Sequence, residues 1–179
     1  MEPRYVETKS GFIKSRHIDD KSSVAVLVEC LRLLKEYNLQ PAYDTWFSFP
    51  IFEEIGLGGT YVPEEVDEFA ALDIGLIGEN QEGDEHKVSI GGSDNIAPYD
   101  WQLTNFLISL AEENGVGYTV DCFYRYGSDA TAAVRAGNNI IPAVFGVACM
   151  NSHGYERCHV QGIEETLNLA MAYVLTESR

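Results

Sequence analysis

The chain has 179 residues, 45% of them hydrophobic and 11% aromatic, and a formal charge of −16 from 28 acidic and 12 basic side chains. That length suits one domain with a substantial core, and the composition excludes an intrinsically disordered chain. The acidic excess argues against nucleic acid or an anionic membrane as partner, and no apolar run reaches the length of a membrane span.

After a polar start, MEPRYVETKSGF, which does not read as a signal peptide, Val24, Leu27, Val28, Leu31 and Leu34 recur at helical spacing. They predict an amphipathic helix over about Lys21 to Tyr37. Tyr43 to Pro50 (YDTWFSFP) is aromatic-rich and reads as a strand. Gly56-Leu57-Gly58-Gly59 breaks the chain, and Pro63 starts a short helix. Ala70 to Ile77 and Lys87 to Ile90 read as buried strands. A helix follows over Pro98 to Asn114, with Leu103, Phe106, Leu107 and Leu110 on one face. Gly117 to Tyr124 is a predicted strand, Asp129 to Ala136 a helix, Ile140 to Val147 a buried strand and Ile163 to Leu175 the last helix. Strands alternating with helices imply an α/β fold with a mainly parallel mixed sheet flanked by helices. There are no internal repeats or linkers, so residues 1–179 read as one domain.

Two acidic doublets stand out, Asp19-Asp20 before the first helix and Glu53-Glu54 after the aromatic run. Adjacent carboxylates repel and are costly to desolvate, so at the edges of buried elements they call for positive charge. Basic side chains are scarce here, and a divalent cation is the simplest source. In α/β sheets, sites form outside the carboxyl ends of strands. Glu53-Glu54, Glu79, Tyr126-Gly127-Ser128-Asp129 and His153 all follow predicted strands, and Asp19 opens the first helix.

Each has a plainer reading. Asp19-Asp20 and Asp129 are also good helix caps. Glu79 neighbours Glu82, Asp84 and Glu85 in what reads as a solvated acidic loop. His153 lies in a polar loop with His159 six residues later, and a lone loop histidine is more often structural than a ligand. The glycine turn at 56–59 lacks the lysine of a phosphate-binding loop, and no Gly-x-Ser-x-Gly elbow occurs. Cys30, Cys122, Cys149 and Cys158 have no CxxC spacing and no nucleophile setting, so they read as reduced thiols of a cytoplasmic protein.

Four segments occur in order: Ile-Lys-Ser-Arg-His-Ile-Asp-Asp-Lys-Ser-Ser-Val-Ala-Val, Phe-Glu-Glu-Ile-Gly-Leu-Gly-Gly, Tyr-Gly-Ser-Asp-Ala and Ser-His-Gly-Tyr-Glu-Arg. Together they resemble family 42 of the metallopeptidases, the glutamyl and deblocking aminopeptidases, some once labelled endoglucanases. The likeness runs from about Gly11 to the C-terminus. It implies a zinc-aminopeptidase-like catalytic domain, a hydrolase that releases N-terminal residues from peptides using two divalent metal ions (zinc, cobalt or manganese). It also implies roles: Asp19 bridges the metals, Glu53 is the general base toward a metal-held water, and Glu54, Glu79 and His153 are ligands, with His159 the substitute for His153. Asp129 stands beside the site in a structural or substrate-orienting role.

The family's chain begins with a His-x-Asp segment whose His binds one metal, and a small domain is inserted before the Asp-Asp motif. Neither is matched here, because His17 lies too near Asp19 to serve. The chain therefore reads as the C-terminal part of the catalytic domain, lacking its N-terminal segment, binding one metal or none and turning over weakly. Expected partners are peptide substrate and either further copies of the chain or the N-terminal segment. A non-catalytic binding or assembly module on the same fold is the competing reading. Glycoside hydrolysis ranks last, since strand neighbours point to opposite faces and would not flank one glycosidic bond.

Overall fold

The computed structural model describes residues 1–177. In chain order it contains β1 (Val6–Glu7), β2 (Phe12–Ser15), α1 (Ile18–Glu36), a 3₁₀ turn (Glu53–Ile55), β3 (Glu68–Ile77), β4 (Val88–Ser93), α2 (Trp101–Glu113), β5 (Tyr118–Cys122), α3 (Asp129–Arg135), β6 (Ile141–Met150), β7 (Glu156–His159) and α4 (Val160–Leu175).

β6 is the hub of one mixed sheet. Its run IPAVFGVACM is apolar at nearly every position, as suits a strand covered on both faces. Along one edge it pairs in parallel with β3, from Glu68 opposite Ile141 to Ile77 opposite Met150. Along the other edge it pairs antiparallel with β4, and at its last residue with β7. β5 extends β4 in parallel, while β2 and β1 extend β7 antiparallel. The expected α/β sheet with flanking helices is present. Its longest ladder is parallel, but four of the six ladders are antiparallel.

Alternation along β6 separates two cores. Ala143, Phe145, Val147 and Cys149 face a large cluster with Leu103, Leu107 and Leu110 of α2, Leu169 of α4 and Val26 of α1. Val144 faces a smaller cluster with Ala71, Tyr99, Phe123 and Ala130 of α3. Three helices thus cover one face and α3 covers the other.

Two expectations fail on the long connection between α1 and β3. Tyr43 to Pro50 forms no strand, and Pro63 begins a turn closed by Val66 N–H on the Pro63 carbonyl at 3.0 Å. The aromatic run has β-propensity but no partner strand among the described residues, and it leaves Trp46 66% exposed. Propensity without pairing does not make a strand. The short strands β1, β2 and β7 are the converse: FIKS and ERCH show little pattern and exist because they pair with each other.

Candidate metal centre

Asp19 is positioned by the entry to α1. His17 precedes the helix in the left-handed region (φ 66°), Asp19 and Asp20 have non-helical backbone angles, and the peptide between them is cis. The His17 side chain makes no cap bond to this helix. The Asp19 carboxylate, 7% exposed, instead turns toward the loop between β6 and β7. There it accepts from Ser152 Oγ at 2.7 Å and lies 3.3 Å from His153 Nε2.

Glu53 and Glu54 sit on the 3₁₀ turn, which Gly56 closes in the left-handed region (φ 70°) by donating to the Glu53 carbonyl. Glu54 Oε2 is 3.1 Å from His153 Nε2. One ligand atom from each of Asp19, Glu54 and His153 therefore falls within 4.8 Å of the others. Two carboxylate oxygens and one imidazole nitrogen form a donor set that suits zinc and related divalent ions. Glu53 is only half buried and lines two cavities that also border Asp19 and Glu54. Its carboxyl is pushed up to about 7, by burial first and then by the charges of Asp129, Glu54 and Asp19, with His153 opposing.

Behind the group lie two more carboxyls. Asp73, in mid-β3 and 7% exposed, and Asp20 are both raised by burial and then by nearby carboxylates, Glu53 for Asp73 and Asp73 for Asp20. Asp73 lines the cavity of about 740 Å³ that also contains Asp19, Glu53, Glu54 and His153. So many carboxyls raised around one point fit a site built for cationic charge.

The structure does not bring Glu79 to this group. β3 runs on to Ile77 and carries Glu79 to an exposed turn beyond it. The acid that β3 presents to the cavity is Asp73. His159 also lies elsewhere: its Nε2 meets the Ser10 carbonyl at 2.8 Å and its Nδ1 accepts the Gln161 N–H at 3.1 Å. Both nitrogens are committed, leaving no lone pair for a metal.

Asp129 is not a helix cap, because Ser128 holds that position. Its carboxyl is raised by burial, against the opposing effect of the nearby Gly59 and Gly58 amides. The approach is so close that a Cβ on Gly58 would lie 2.2 Å from Asp129 Oδ2. Asp129 thus packs directly against the segment that follows Glu53 and Glu54. α3 is itself tied down by Asp94, which accepts Thr131 Oγ1 at 2.6 Å and Tyr99 Oη at 2.8 Å.

Sequence reasoning does not single out Asp73, Ser152 or Glu156. Asp73 had one readable signal, a lone acid inside the apolar run FAALDIGLI. Burial pushes the thiols of Cys30 up to about 11 and Cys158 up to about 12, as befits inert core residues. No helix among the described residues is long and apolar enough to cross a membrane.

The family model described as M42 glutamyl aminopeptidase matches residues 1–169. The chain belongs to this family. YhfE of Bacillus subtilis (strain 168), provisionally named an aminopeptidase, is 41% identical over 175 residues, which make up 97% of this chain and 51% of that protein. The chain thus spans about half the length of the curated relative it matches. The TET1 peptidase of Pyrococcus horikoshii, described as able to assemble into a tetrahedron or a large octahedral shell, superposes with a TM-score of 0.82 at 21% identity, over 97% of this chain and 53% of that one. The TET aminopeptidase of Thaumarchaeota archaeon SCGC AB-539-E09 gives 0.79 at 16% identity, over 96% and 51%. At such identities the likeness establishes a shared M42 catalytic-domain fold.

Proposed function

We propose that this M42 chain carries the base and most of the metal ligands of a metal-dependent aminopeptidase. The observation that supports it most is the convergence of Asp19, Glu54 and His153 within 4.8 Å. A divalent ion (zinc, cobalt or manganese) held there would polarise a peptide carbonyl and acidify a water.

Glu53 is the general base. Its carboxyl, pushed up to about 7, accepts the water's proton and returns it to the leaving amine at neutral pH. Glu54 keeps the neighbouring position on the turn and binds the ion. Asp129 fixes the turn through Gly58 and Gly59, so Glu53 reaches the water at a constant distance. Asp19 and Asp73 face a second ion position with carboxylates alone. His17 borders a cavity together with Asp19 and Asp73, but among the described residues only His153 joins carboxylates in a group of metal-ligating atoms. We therefore assign one ion per isolated chain, with low turnover. A peptide with a free N-terminus fills the cavity of about 740 Å³. Four free thiols suit a cytoplasmic protein, and assembly with further copies accords with the TET relatives.

Metal analysis with aminoacyl-anilide hydrolysis tests this. The expected result is about one zinc, cobalt or manganese ion per chain and weak hydrolysis. Glu53→Gln should abolish that hydrolysis while retaining the ion, since a general base contributes about 10²–10⁴-fold. Full turnover with two ions per chain, or hydrolysis unchanged in Glu53→Gln, contradicts the reading.

A further inference from the structure

Glu156, the first residue of β7, is only 2% exposed and forms no ion pair with a Lys, Arg or His among the described residues. A buried carboxylate with no cation is expensive unless amides surround it. Here they do. Oε2 accepts the N–H groups of Ile18 and Asp19, the latter at 3.1 Å, and Oε1 accepts the N–H of His153 at 3.0 Å.

These donors belong to two turns far apart in sequence, and each turn carries a member of the cation group. Both turns use a left-handed residue that is not glycine, His17 at φ 66° and His153 at φ 62°. Such conformations are unfavourable for residues with a Cβ and persist only where surroundings enforce them. They direct the Ile18 and His153 amides at one carboxylate. From the same loop, Ser152 Oγ donates to Asp19 Oδ2 at 2.7 Å.

We propose that Glu156 is a positioning residue for the cation group. It touches neither ion nor substrate, and by accepting amides from both turns it holds Asp19 and His153 at ligating separation. Truncating it releases one turn from the other while the ligands themselves remain. The proposal rests on the cation reading above and adds to it the part that sets the spacing.

Cobalt(II) is the probe, followed by its visible spectrum and by titration calorimetry, on the wild type, Glu156→Gln and Glu85→Gln. The glutamine's NH₂ group must face at least one backbone N–H, so one arm of the clamp is lost. Cobalt affinity should fall about 10–100-fold, the usual cost of removing a partner that orients metal ligands, and the spectrum should change. Glu85→Gln is the structural control. It breaks the part-buried pair, at 2.6 Å, between Glu85 and Arg157, the residue after Glu156 on β7, and lowers the melting temperature with cobalt binding unchanged. Equal cobalt affinity in Glu156→Gln and the wild type overturns the proposal, even if the melting temperature drops. Absence of cobalt binding in the wild type overturns the cation reading itself. Should Glu156→Gln fail to fold, amide exchange on the wild type decides: Ile18 and His153 should be protected together and gain protection with cobalt, and free exchange of the His153 amide overturns the clamp.

Discussion

Glu53 and Glu54 are chain neighbours in different circumstances, and that difference underlies their assigned roles. Glu54 is half exposed and meets His153, whereas Glu53 is drawn inward among carboxylates and shifted to about 7. The pair can do so because Gly58 and Gly59 let the turn rest against Asp129. Gly58→Ala should drive a Cβ into the Asp129 carboxylate, pushing the turn outward. We expect a melting-temperature loss equivalent to about 1–3 kcal/mol, as for other overpacked sites, together with weaker cobalt binding. Calorimetry on that variant checks both, and unchanged cobalt affinity would mean that the turn is not anchored there. At this scale the doublets were legible because repeated charge at element edges needs compensation. Asp73 was hidden within an apolar run, and Glu156 acts on amides that only the fold brings near. Glu79 drew attention by its place after a strand, yet the strand's length carries it past the cavity.

The elements that read clearly are those whose own sequence encodes their burial. α2 shows its apolar stripe, and β6 its continuous apolar run, because each meets a core on its own account. Leu107, fully buried in the larger core, illustrates how strongly that encoding is enforced. Leu107→Ala should cost about 2–5 kcal/mol in denaturant unfolding, the range for a leucine truncated within a packed core. A cost below about 1 kcal/mol would place this helix outside the cooperative core. The elements that misled are set by partners instead. YDTWFSFP has strand propensity and no neighbouring strand, while β7 has little propensity and pairs with both β2 and β6. β7 matters most here, because its first residue is Glu156.

For the whole molecule, the charge of −16 and the raised carboxyls act in the same direction. Glu53, Asp20 and Asp73 have folded pKa values above their unfolded ones, so the fold favours their protonated forms. The stability they contribute is fully present below the unfolded value near 4 and is lost as pH rises through about 7 for Glu53, and higher for Asp20. The metal-free melting temperature should therefore fall between pH 5.5 and 8.5. Saturating cobalt should flatten that fall, because the ion favours the ionised carboxylates. A metal-free melting temperature that rises over this range contradicts the assignment of these shifts.

Each of these proposals depends on Asp19, Glu54 and His153 holding one divalent ion. Titration calorimetry of cobalt(II) into the wild type and into His153→Ala tests it most directly. We expect one ion per wild-type chain and an affinity lower by at least about tenfold in His153→Ala, since a lost ligand costs no less than a lost orienting partner. Equal binding by the two proteins, or none by the wild type, would contradict it.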